Sequence, residues 1–217
     1  MHLRNRTGRW LLTATLILLS GCIHGDAGKT GNESGVHSRL FRHIDAQLHQ
    51  SHYPFTLSVP PLRFDGQQQG EDWLLESREP VGGKRIRVRK EGDTLFLTRG
   101  EQAEKLKTRQ FGLLSPRDHL LLVKSTVLRI QPLPENQKGS IGAQAVLSSE
   151  EIGDRLGEWM GEAFEQGPAN QASRKFRIRY QLWYRPDQEG LSVLRMEIRP
   201  QVKDQPSEKM VYRFGKP

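Results

Sequence analysis

Lys175-Phe176-Arg177-Ile178-Arg179-Tyr180-Gln181-Leu182-Trp183-Tyr184-Arg185 alternates core-type with polar or amphipathic side chains along its whole length. A period of two sends successive side chains to opposite faces of a pleated strand. Phe176, Ile178, Tyr180, Leu182 and Tyr184 therefore face inward, and Arg177, Arg179, Gln181, Trp183 and Arg185 face outward. Pro186 to Gly190 reads as a turn. Ser192 to Arg199 then returns with Leu194, Met196 and Ile198 inward, and Lys209 to Phe214 adds Met210, Tyr212 and Phe214. The spacing predicts an antiparallel meander.

Upstream of this meander, residues 149–166 carry Ile152, Leu156, Trp159, Met160, Ala163 and Phe164 at helical spacing. Ser148 and Glu151 form a capping box, and Gly167-Pro168 ends the stretch. Gly153, Gly157 and Gly161 recur every fourth residue. Each costs about 1 kcal/mol relative to alanine inside a helix, so their register predicts close packing onto a sheet. A capped helix followed by a meander gives an α+β domain, an antiparallel sheet with a covering amphipathic helix.

The first half shows a similar mixture. Leu40, Phe41, Ile44 and Leu48 predict a helix from Ser38 to Gln50, and Pro60-Pro61 makes residues 54–63 an edge or an irregular connection. Asp72 to Arg78 reads as a short strand. Lys84 to Lys90 alternates, and the Glu91-Gly92-Asp93 turn before Leu95-Phe96-Leu97 predicts a hairpin. Glu101 to Gln110 reads as a short helix, His119 to Gln131 as one or two strands, and Ile141 to Leu147 as another strand. This order is also compatible with two small related subdomains, although no residue-level repeat establishes them. The expected division is 38–135 for an N-terminal α+β part and 136–217 for the C-terminal helix and meander.

The chemistry legible in the sequence is arginine-rich. Arg177, Arg179, Arg185, Arg195, Arg199 and Arg213 would share the outer face of the last sheet with an exposed Trp183. Guanidinium forks suit phosphate and carboxylate oxygens, and an exposed indole adds a sugar-stacking or apolar surface. The competing reading is a solvated face on which Glu189 and Glu197 pair with arginines. Arg85, Arg87 and Arg89 would form a second row. Asp45, His49 and His52 lie near one face of the first helix at steps of four and three, but neighbouring histidines outside the pattern argue for surface residues and no metal is assigned. Gly-x-Ser-x-Gly, the phosphate loop and His-Glu-x-x-His are all absent, so no catalytic residue or cofactor is assigned.

At the other end of the chain, Arg4, Arg6 and Arg9 precede an apolar run from Trp10 to Leu19, and Leu19-Ser20-Gly21-Cys22 follows. This segment resembles the signal peptide and lipobox of bacterial lipoproteins. The run is too short for a membrane-spanning helix, which needs roughly 20 apolar residues. The resemblance implies cleavage after residue 21 and acylation, including palmitate, of Cys22, the only cysteine in the chain. Several acyl chains on one residue anchor stably without spanning the bilayer. Ile23, where an aspartate would favour inner-membrane retention, implies the outer membrane of a Gram-negative envelope, with the domain in the periplasm. Glycine-rich residues 22–37 read as a flexible tether.

The net charge of +8 loses three units with residues 1–21, which leaves a moderately basic body. Outside the cytoplasm that basicity points to anionic lipid, glycan or acidic protein partners and away from nucleic acid. The leading expectation is a non-catalytic lipoprotein acting by binding, as an accessory or structural component of an envelope assembly or of a transport or secretion machine, with an envelope protein as partner. The alternative is a carrier or receptor for an anionic envelope ligand, such as lipid A, a phospholipid headgroup or peptidoglycan, held by the arginine face. An enzyme ranks third.

Overall fold

The computed structural model describes residues 27–107, 114–134, 139–147, 176–200 and 207–215. The described residues form one antiparallel sheet of 11 strands, with two helices. This replaces the α+β expectation of a sheet with one covering helix.

The reason is the seam between the two halves of the chain. Strands β1 (His52–Val59), β2 (Leu62–Gln69), β3 (Asp72–Ser77), β4 (Ile86–Glu91), β5 (Thr94–Arg99) and β6 (Gln102–Lys107) form a meander running to one edge. Strands β7 (Val127–Leu133), β8 (Ile141–Leu147), β9 (Phe176–Tyr184), β10 (Val193–Pro200) and β11 (Glu208–Phe214) form a second. They join where β1 pairs with β11, Phe55 opposite Phe214 and Leu57 opposite Tyr212. Backbone hydrogen bonding across this seam extends one sheet through both halves.

β1 is therefore central and not the edge that Pro60-Pro61 suggested; that pair instead falls in the turn between β1 and β2, matching the other expectation of an irregular connection. Proline is tolerated because Pro54 sits at the end of the β1–β11 ladder, where its carbonyl accepts from the Gly215 N–H at 3.0 Å. Its missing N–H falls on the same side, just where that ladder stops. Gly66 is required opposite Phe55, since a Cβ there would lie 2.4 Å from the phenyl ring.

Both helices lie on the inner face. α1 (Ala27–His49) begins well before the expected Ser38 and buries Leu40 and Ile44 completely. α2 (Pro116–Thr126) occupies part of the run read as strand. A short apolar run is ambiguous between buried strand and buried helix, and here the cap decides. The Ser115 side chain accepts from the Asp118 N–H at 3.1 Å, Asp118 accepts in return from the Ser115 N–H at 3.0 Å, and Pro116 occupies the first turn. Beneath the helices Ala143 and Ala145 keep β8 thin and are fully buried. The segment expected as a helix over 101–110 instead contributes edge strand β6, whose residues pair with β5 from Arg99↔Gln102 to Thr94↔Lys107. The capped stretch 149–166 lies outside the described residues.

Tyr53, Phe55, Leu57, Trp73, Leu75, Tyr180, Leu182 and Tyr212 extend the inner core across the sheet. Burying a large apolar side chain contributes about 1.5 to 3 kcal/mol, so this continuous face is the main source of stability.

Candidate functional site

The outer face carries the charge. It holds a furrow of about 530 Å³ that straddles the β1–β11 seam. Thr56 and Ser58 of β1 lie on its floor, Arg63 of β2 on one side, and Arg213 of β11 with Val193 of β10 on the other. Arg78, just past β3, and Arg185, just past β9, complete the walls. The backbone N–H of Arg78 bonds the Arg63 carbonyl at 2.9 Å, so these two arginines are brought together by the β2–β3 hairpin.

One of the four guanidiniums is already engaged. Arg78 donates through Nε and Nη2 to the Asp65 carboxylate, at 2.8 and 2.7 Å. Arg63, Arg185 and Arg213 make no ion pair among the described residues. Three guanidiniums with no ion-pair partner among the described residues create a local positive field and present forks suited to oxyanions.

The remaining outward residues fare differently. Arg195 lies over the Trp183 indole at 5.1 Å and donates to Gln181 at 3.3 Å. Trp183 is only 6% exposed, because its ring rests on Gly142 on one side and is covered by Arg195 on the other. The exposed stacking surface expected there is absent. Arg199 pairs with Glu197 at 3.0 Å. Burial pushes the Glu197 carboxyl up, but bonds from Arg199 and Ser207 and the charge of Lys209 outweigh it and hold the group below its usual range. Arg179 sits opposite Glu197 in register, and Arg177 opposite Arg199. The second row is largely occupied: Arg85 lies 3.7 Å from Glu76, and Arg89 pairs with Glu91 at 3.1 Å.

Of the seven outward residues expected on the final sheet, Arg185 and Arg213 thus line the furrow. Arg63 and Arg78 join them from the first half, where no local pattern marked them as neighbours of Arg213. A turn clamp holds one wall. His43 Nδ1 donates to the Gly190 carbonyl at 3.0 Å, and the Leu191 N–H donates to Gln47 at 3.1 Å. α1 thereby secures the turn between Arg185 and Ser192.

Asp45, His49 and His52 have separate partners. His49 Nδ1 lies 2.6 Å from the Asp45 carbonyl, the Asp45 carboxylate pairs with Lys124, and His52 bonds Ser51. No group of three metal-type ligands occurs among the described residues. Nor is any helix among them long and apolar enough to cross a membrane.

No family model matches the sequence, and no curated protein matches it. Among solved structures the chain is similar to LprF from Mycobacterium bovis, with 14% identity over 85% of this chain and 93% of that one, at a TM-score of 0.50. It also aligns with the LolA superfamily protein NE2245 from Nitrosomonas europaea, with 10% identity over 83% and 91% of the two chains, at a TM-score of 0.34. At such identities only fold is shared, and the LprF comparison carries that statement.

Proposed function

We propose that the protein is a lipid-anchored component of the bacterial envelope that carries or receives an anionic envelope ligand on its outer sheet face. The furrow holding Arg63, Arg185 and Arg213 without ion-pair partners among the described residues is the observation that supports this reading most directly. A solvated charge face disperses its cations or pairs them, as Arg199 and Arg89 do. Here cations from β2, β11 and the end of β9 converge on one hollow. The lipobox-like segment ending at Cys22 would keep this face at a membrane surface, where phosphorylated lipids and glycans are concentrated.

The test uses the full chain in neutral detergent, with mixed micelles containing either anionic or zwitterionic lipid. Binding to anionic micelles is expected at low salt and weakens as salt rises, because screening shortens to about 8 Å at physiological ionic strength. Arg63→Glu with Arg213→Glu should abolish it without loss of folding. Equal binding of the anionic and zwitterionic micelles would reject the reading, and a stoichiometric protein recovered from solubilised membranes in its place would favour an accessory role in an envelope assembly.

A further inference from the structure

Resting on the anion-binding reading above, we infer that the furrow is selective for a phosphate monoester over a carboxylate or a phosphodiester. The selectivity follows from how many guanidinium forks are open. A carboxylate has two oxygens in one plane and is satisfied by a single bidentate fork. A phosphodiester also offers two free oxygens. A phosphate monoester offers three and carries between one and two negative charges near neutral pH, so it can engage more than one fork and gains from each added cation.

Arg63, Arg185 and Arg213 present three forks with no ion-pair partner among the described residues. They come from β2, β11 and the residue just past β9, and approach from both sides of β1, whose Thr56 and Ser58 lie between them. Ser192 on the far wall already donates to the Trp183 carbonyl at 3.0 Å, which leaves its oxygen lone pairs as acceptors. The furrow volume, about 530 Å³, exceeds that of a phosphate group and accommodates the moiety bearing it.

Asp65 is the specificity-setting residue. By occupying Arg78 it withholds a fourth fork from the furrow and so sets how many cations a ligand meets there. Asp65→Asn should free Arg78, add a fourth open cation and widen the difference between monoesters and diesters.

The test is a titration of the full chain in neutral detergent with four soluble probes: dihexanoyl phosphatidic acid, dihexanoyl phosphatidylglycerol, glycerol 3-phosphate and acetate. The monoester lipid is expected to bind at least about tenfold tighter than the diester lipid, a difference of about 1.4 kcal/mol. Arg213→Gln and Arg185→Gln should each remove that preference while the melting temperature holds. Glycerol 3-phosphate should compete with the monoester lipid and acetate should not. If glycerol 3-phosphate binds as tightly as the lipid, the recognised group is the phosphate itself, from whatever source, and the inference stands. Equal binding of monoester and diester lipids overturns the selectivity but leaves the anion-binding reading intact. Failure of every anionic probe overturns both, and a monoester preference that survives loss of Arg213 and Arg185 removes it from this furrow.

Discussion

His119 on α2 and Tyr180 on β9 meet in the core, with Nδ1 of the imidazole 2.7 Å from the phenolic hydroxyl. The two residues are 61 positions apart and both are almost wholly buried. Nearby on the same inner face, the hydroxyl of Tyr53 is buried without a hydrogen-bond partner. Two phenols in one core thus differ in whether the oxygen is used.

That difference gives opposite substitutions. Tyr180→Phe removes the partner of His119 Nδ1 and should cost about 1 to 3 kcal/mol, the usual penalty for stranding a buried polar atom. Tyr53→Phe removes an oxygen that bonds nothing and should leave stability unchanged or slightly higher. Urea unfolding midpoints of the two variants check both, and a larger loss for Tyr53→Phe would contradict the assignment.

Complete burial lowers the pKa of His119 to about 3, against 6.5 in an unfolded chain. Between those values the unfolded chain binds a proton that the folded one excludes, so stability is fully present above about pH 6.5 and declines as pH falls toward 3. The slope approaches about 1.4 kcal/mol per pH unit. His43, shifted down mainly by burial, adds a smaller contribution of the same sign. In His119→Gln the His119 slope should vanish, so the stability difference from wild type shrinks on acidification. A difference that stays constant from pH 7 to pH 4 would refute the shift.

Gly142 lies beneath the indole of Trp183, and a Cβ there would stand 2.6 Å from Nε1 and 3.1 Å from the Cβ of Leu133. Gly142→Val should displace the ring, release Arg195 from its stacked position and destabilise the fold by about 1 to 3 kcal/mol through overpacking. Thermal melting measures the loss. Indole exposure, read as increased quenching by iodide, should rise with it.

Gln47 accepts from the buried Leu191 N–H and lies against Gly190, whose φ is +81°. Gln47→Ala strands that N–H and loosens the turn that carries Arg185. A stability loss of about 1 to 3 kcal/mol is expected, together with weaker binding of anionic probes at temperatures where the variant is still folded. Unchanged binding would show that the turn is held without this clamp.

Cys22→Ser removes the only thiol able to take a lipid. Expressed in a bacterial host, the variant should fail to incorporate labelled palmitate and should retain its precursor size. Normal maturation and membrane sedimentation would exclude lipidation at this residue.

The amino-acid sequence by itself determined the strands whose alternation is strict. In β9, Tyr180, Leu182 and Tyr184 go to the core because period two and a one-sided apolar face leave no other register. The Gly92-Asp93 turn between β4 and β5 was equally local, with Gly92 at φ +53°. The arginines of the last strands could be assigned outward for the same reason. Tertiary structure decided what local pattern could not. The run His119 to Val123 is apolar enough for strand or helix, and the cap at Ser115 and Asp118 with room above Ala143 and Ala145 selected the helix. Trp183 was outward by periodicity yet became buried, because Gly142 and Arg195 enclose it from β8 and β10. The furrow depends on the pairing of β1 with β11, residues more than 150 positions apart. Arg63 and Arg213 become neighbours only when that ladder closes, since long-range strand pairing is specified by the complementarity of whole faces and has no signature in either strand alone.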